Sequence, residues 1–171
     1  MPLIVLIFLV TVAVTSLPPP APAFAQDMIT VPAGTSLLVK MQTAIVTGKA
    51  RKGDPFTAVL EKPVAVDGKT VFPRGAKAYG QVIVAVDTGN ISGRPGMGLH
   101  LVEVETENGT VSIKTLSQGF IGTTQGTVNS VITGKVVGPA GPGVVVNSSG
   151  RVVVKSGALV EFSLVEAVEV N

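Results

Sequence analysis

From Val31 onward the chain is a succession of short runs rich in valine and threonine, each closed by glycine or proline. Branched Cβ atoms fit a pleated surface and lose rotamer freedom in a helix, while frequent glycine and proline interrupt a helical pattern before it can propagate. This punctuation predicts an all-β fold: a compact β-barrel-like or sandwich domain of short antiparallel strands.

The individual runs can be placed. Ser36 to Val46, Phe56 to Glu61, the longer Ala76 to Val86, and a last strand within Ala158 to Val168 read as β structure. Asp67-Gly68 lies between the apolar runs Val64-Ala65-Val66 and Thr70-Val71-Phe72, the pattern of a two-residue type I′ hairpin. Asn108-Gly109, between Leu99 to Glu107 and Thr110 to Leu116, predicts a second hairpin on the same ground. Three segments share a Gly-centred turn before a β run: Val31-Pro32-Ala33-Gly34-Thr35, Phe72-Pro73-Arg74-Gly75-Ala76 and Val154-Lys155-Ser156-Gly157-Ala158. Residues 119–150 differ in texture. They form a Gly-rich insertion whose only charge is Lys135, and Pro139 and Pro142 stop any helix there.

The first 25 residues belong to another class of segment. The uncharged apolar run Leu3–Leu17 is followed by Pro18, Pro19 and Pro20 and then by Ala23-Phe24-Ala25, an A-x-A cleavage pattern. Its 15 residues fall short of the ~20 that a spanning helix needs. Residues 1–25 are therefore expected to be a signal peptide and 26–171 a single β-domain, exported to the periplasm or cell envelope. All 13 Lys/Arg and all 11 Asp/Glu lie after residue 25, so the exported part keeps the net charge of +2. The chain has no cysteine, which removes disulfides, thiolate metal sites and a cysteine nucleophile, and leaves packing and sheet hydrogen bonds to hold the domain.

Candidate chemistry is sparse. His100 is the only histidine; strict alternation along Leu99 to Glu107 places it with Val102, Val104 and Thr106, with Glu103, Glu105 and Glu107 on the opposite face. Metal ligands must converge from one side, so no metal is expected there, and the three glutamates read as a solvated face. Asp87 and Asn90 match no EF-hand spacing. Ser148 and Ser149 do not form a G-x-S-x-G elbow, and Gly138 to Gly143 has the glycines of a phosphate loop without its lysine. Lys49, Arg51 and Lys52 are the one basic cluster. With a single tyrosine and no tryptophan to stack bases, the expectation is a solvated turn and no nucleic-acid partner. No catalytic residue, cofactor or metal is assigned.

Several of these segments carry a resemblance. Val-Pro-Ala-Gly-Thr at 31–35, Arg51-Lys52-Gly53-Asp54-Pro55-Phe56-Thr57-Ala58, Val66-Asp67-Gly68-Lys69 with Phe72-Pro73-Arg74-Gly75-Ala76, and Gly93-Arg94 before Leu99 resemble small exported bacterial envelope proteins with a "pAGT" β-domain. More remotely they resemble the C-terminal β-domain of the outer-membrane channel subunit of type IV secretion and conjugation systems. The likeness covers residues 29–116 and 152–168. In the small relatives a glycine-zipper helical hairpin precedes the last strand; Gly122, Gly126, Gly134 and Gly138 keep its spacing, while Gln125, Asn129 and the two prolines depart from it. Export, the all-β texture and the lack of a catalytic constellation lead to the expectation of a non-enzymatic periplasmic or envelope β-domain acting in structural assembly or protein binding, with other envelope proteins or itself as partner. The alternatives are a membrane-associated oligomer built on the Gly-rich segment and an envelope hydrolase. Exposed strand edges and the loop from Asp87 to Gly96 are the expected contact surfaces. Mass spectrometry of the protein recovered from its native envelope is expected to find Gln26 as the first residue; an intact Met1 peptide would refute cleavage.

Overall fold

A computed structural model of the chain describes residues 28–87, 94–123, 125–132 and 135–171, so the expected signal peptide lies outside the described residues. In chain order the strands are β1 (Ile29–Val31), β2 (Ser36–Met41), β3 (Ile45–Val46), β4 (Pro55–Leu60), β5 (Val64–Val66), β6 (Lys69–Phe72), β7 (Lys77–Val86) and β8 (Gly96–Thr106). They continue with β9 (Gly109–Ser112), β10 (Gln118–Gly122), β11 (Val128–Ile132), β12 (Lys135–Pro139), β13 (Val144–Val146), β14 (Val152–Val154), β15 (Leu159–Ser163) and β16 (Val168–Val170). The fold is all-β, and its strands pair antiparallel.

One nine-stranded sheet dominates, in the order β12-β11-β10-β8-β7-β4-β2-β15 with β9 added beside β8, and it curls into a half-barrel. Small sheets β1-β16, β13-β14-β3 and β5-β6 accompany it. Inner faces read directly from alternation: Leu37, Val39 and Met41 on β2, Phe56, Ala58 and Leu60 on β4, Val160 and Phe162 on β15 are all buried. They share one core with Val31, Phe72, Val152, Val154 and Val168 of the small sheets. Each such Val, Leu, Met or Phe side chain contributes about 1.5–3 kcal/mol by leaving water.

Turn chemistry accounts for the connections. Asp67 (φ 50°) and Gly68 (φ 79°) both take positive φ, as a type I′ turn between β5 and β6 requires. The three Gly-centred turns share one construction. The amides of Thr35, Ala76 and Ala158 donate to the carbonyls of Pro32, Pro73 and Lys155 at 3.3, 3.1 and 3.1 Å. With Gly34, Gly75 and Gly157 at positive φ these are type II turns, and each glycine amide donates to a carbonyl of a neighbouring segment, at Leu164, Leu60 and Met41 respectively.

Five expectations need correction. Thr106 pairs with Gly109, so the second hairpin turns at Glu107-Asn108, one residue early; Asn108 is not at positive φ, and its amide instead meets Thr106 Oγ1. Ser36 to Val46 is two strands in different sheets, because the chain leaves β2 after Met41 to pair β3 with β14. The run predicted from Thr110 to Leu116 ends as a strand at Ser112, and Ala158 to Val168 breaks after Ser163 before β16. His100 does not share a face with Val104. Glu103 pairs with Tyr79 and Leu101 with Gly80, so Val102 is a bulge that resets the alternation.

A second bulge at Ile83, between the pairs Val82–Leu99 and Val84–Gly98, does the same for β7. Both long strands thereby keep Ala78, Gly80, Val82, Leu99, Leu101 and Val104 inside. A Cβ on Gly80 would fall within the Phe56 ring and against the His100 carbonyl. In urea denaturation, Gly80→Ala is expected to cost about 1–3 kcal/mol through overpacking. Gly68→Val, which meets no neighbour but strains the turn, is expected to cost about 1 kcal/mol or more.

Candidate functional site

β12 and β15 are the two ends of the curled sheet, and residues of both line a single groove of about 480 Å³. Ile132, Val137 and Pro139 stand on one side, Leu38, Leu159 and Glu161 on the other, with Gln118, Phe120 and Phe162 also in the lining. The groove is the open seam of the half-barrel.

Its edges carry unused backbone groups. Leu116 N donates to Ser163 O at 2.8 Å on the side of β15 away from β2. Backbone groups alternate sides along a strand, so those of Glu161 and Leu159 face the seam as well. The carbonyl of Leu159 lies beside Gly141, where a Cβ would approach it to 3.1 Å. Opposite, β12 is bulged at Val137 between the pairs Gly138–Ser130 and Val136–Val131. Val136 and Val137 are 60% and 57% exposed. Lys135 and Pro139 bracket them, the residue types that blunt an edge strand.

Gln118 is the buried polar group of the seam, 7% exposed, and its amide nitrogen reaches only the Gly119 carbonyl, at 3.4 Å. A carboxamide offers a donor and an acceptor, the same pair a peptide backbone presents. Ser36 Oγ donates to the Glu161 carboxylate at the outer lip. This site was not legible from sequence, since it depends on which strands end up at the sheet ends.

A second concavity, about 370 Å³, lies on the outer face, lined by Ile83, Val84, Gly98, Ser117, Gly119, Ile121 and Val131 together with Met97 and Phe120. Gly98 and Gly119 are cross-strand partners, so bare backbone replaces two side chains. Val84 and Val86 beside it are 47% and 50% exposed.

The residues singled out from sequence do not assemble. His100 is half-buried opposite Gln81, on the outer face that also carries Tyr79 and Glu103. Among the described residues no three of His, Asp and Glu gather as metal ligands. Asp87 accepts from Arg151 Nε at 2.9 Å across Gly48; Asn90 lies outside the described residues. Ser148 and Ser149 sit in the β13–β14 turn, where Asn147 Oδ1 accepts from the amides of Ser149 and Arg151 at 3.0 and 2.9 Å. The Gly-rich insertion is strand, contributing β11, β12 and β13: Gly122 ends β10, Gly126 turns into β11 and Gly138 lies in β12, while Gly134 is outside the described residues.

The outer face does hold one perturbed group. Tyr79 Oη donates to Glu105 Oε1 at 2.9 Å, and Lys77 Nζ approaches the same oxygen at 3.8 Å. The hydrogen bond to Glu105 raises the phenol above its ordinary 10.0, with partial desolvation and the charges of Glu105 and Glu103 acting in the same direction. A raised folded-state value means that the stabilisation is present below pH 10.0 and is lost as pH rises through the folded value. With one tyrosine and no tryptophan, ultraviolet absorbance reports this phenol alone. Its alkaline titration is expected above pH 10.0, moving back towards 10.0 in Glu105→Ala; an ordinary midpoint in the parent chain would refute the bond.

Compared with known proteins, the chain matches no protein-family model, and no curated protein matches it significantly.

Proposed function

We propose that the chain is an exported, non-enzymatic envelope β-domain that works in assembly by taking an extended segment of a partner protein, another envelope protein or a second copy, into the seam between β12 and β15. The carrying observation is the pair of sheet edges facing one another across one groove. An added strand gains main-chain hydrogen bonds from such edges, and side chains at alternate positions give it specificity. Backbone groups of Leu159 and Glu161 are placed to receive it, and Gln118 supplies a buried donor and acceptor. Leu38, Ile132, Val137 and Phe162 offer apolar contacts. Export is supported by the A-x-A pattern at Ala23-Phe24-Ala25, and an envelope role by the resemblance at 31–35, 51–58 and 66–76.

A photo-activated crosslinker at Val137 or Leu159, in the chain expressed in its native envelope, is expected to capture a discrete protein. The same probe at exposed Lys62, away from the groove, is expected to give none. Val137→Lys should abolish the Leu159 crosslink while leaving the melting temperature unchanged, because Val137 is exposed and unpaired. Equal labelling from all three positions would overturn the reading.

A further inference from the structure

The charges are unevenly spread. Among the described residues, three ion pairs lie towards the end of the sheet where β4, β8 and β15 finish, Arg74–Glu61 at 2.8 Å, Lys77–Glu105 at 3.8 Å and Lys114–Glu166 at 3.3 Å, and Arg151–Asp87 at 2.9 Å lies beside Gly48 at the other. At the opposite end Lys49, Arg51, Lys52 and Arg94 are exposed and enter none of these pairs. Gly53 N donates to Val82 O and Val82 N to Asp54 O, at 2.8 and 2.9 Å, so the turn carrying the first three lies along the final part of β7. Arg94 reaches the same end, two residues before Gly96, the partner of Val86.

The outer trough opens in this region. Val86, Gly96 and Ile121 form one row across β7, β8 and β10, and Val84, Gly98, Gly119 and Val131 form the next. Ser117 is the one polar side chain in its lining. Unpaired cations and exposed hydrocarbon thus share one end of the molecule.

We propose that this end is a docking surface for an anionic lipid bilayer, with Lys49, Arg51, Lys52 and Arg94 on the headgroup phosphates and Val84, Val86 and the glycine-floored trough against hydrocarbon. A bilayer presents a phosphate layer and acyl chains together, and each basic residue near an anionic surface contributes about 1 kcal/mol. Nucleic acid answers the charge but not the trough, and no aromatic ring lies among these four cations to stack a base. The proposal does not rest on the seam: Phe120 lines both concavities, but Val84, Gly98 and the four cations take no part in the seam.

The test is co-sedimentation of the full chain with vesicles of phosphatidylcholine alone or mixed with phosphatidylglycerol. The apolar N-terminal residues meet both vesicle types alike, so the difference between them reads the cationic end. Binding to the anionic vesicles is expected to be stronger and to fall with salt. The combined variant K49Q/R51Q/K52Q/R94Q should weaken it at least about tenfold, with binding to neutral vesicles unchanged. Arg74→Gln with Lys114→Gln, at the paired end, should have a much smaller effect. Val84→Asn with Val86→Asn should weaken binding and leave its salt dependence intact. Equal binding to both vesicle types overturns the proposal, as does equal weakening by charge loss at either end. Displacement of the vesicles by a duplex oligonucleotide bound more tightly through the same four cations would assign the surface to nucleic acid instead, and also overturn it.

Discussion

The ladder between β7 and β8 is the constraint on which the architecture rests. These are the two longest strands, and a strict two-residue alternation over ten or eleven positions would drive one half of each face the wrong way. The bulges at Ile83 and Val102 absorb the mismatch. They also bend the pair and increase its twist, as bulges do, so the sheet curls around its core rather than lying flat. Gly80 sits between them and gives the Phe56 ring the space a side chain would take. With β7 and β8 fixed, β4 and β2 extend the sheet on one side and β10, β11 and β12 on the other.

Growth in both directions explains why the barrel stays open. On the β2 side, β15 is held by five paired positions and by the turn at Gly157, whose amide donates to Met41 O at 2.7 Å. On the other side, β12 hangs on β11 through four pairs broken by a bulge, and Pro139 has no amide to give. The chain then crosses at Gly141, close against the Leu159 carbonyl, instead of adding a strand that would close the ring. What remains between the ends is a groove with an apolar wall on each side and one buried carboxamide, Gln118.

How much of this was readable depended on the range of the interaction concerned. Asp67-Gly68 and the three Gly-centred turns were legible because two to four adjacent residues determine them. Asn108-Gly109 misled by one residue. Glu107 and Asn108 make a turn without left-handed backbone, supported by Thr106 Oγ1, so the asparagine-glycine pattern carried less than its type I′ form implies. The face of His100 was misread because the bulge at Val102 is set by pairing with β7, a register invisible within the strand itself. The Gly-rich insertion, where Pro139 and Pro142 argued against a helix despite the spacing of its glycines, forms strands because β10 offers β11 an edge from Gln118 to Gly122. The seam was unreadable for the same reason: sheet order is a property of the whole chain.

The glycines of β8 and β10 sharpen the distinction between what the fold needs and what its surface does. Glycine in a strand interior costs roughly 0.5–1 kcal/mol relative to alanine. At Gly80 the Phe56 ring and the His100 carbonyl explain that cost, because no side chain fits. At Gly98 the nearest obstacle to a Cβ is a Val84 methyl at 2.9 Å, the end of a side chain that is 47% exposed and has room to turn aside. Its partner Gly119 is tighter against Val131, at 3.2 Å from both Cβ and carbonyl oxygen, yet it too points to the outer face, away from the core. Packing inside the half-barrel therefore does not account for two adjacent glycines at this place. A pair of small positions side by side on an outer face leaves a shallow trough there, with Val84 exposed at its rim. The charge distribution argues in the same direction, since Arg151 at this end is paired with Asp87 while Lys49, Arg51, Lys52 and Arg94 enter no such pair. Both features lower the cost of approach by a negatively charged surface with hydrocarbon beneath it, and neither is required by the core.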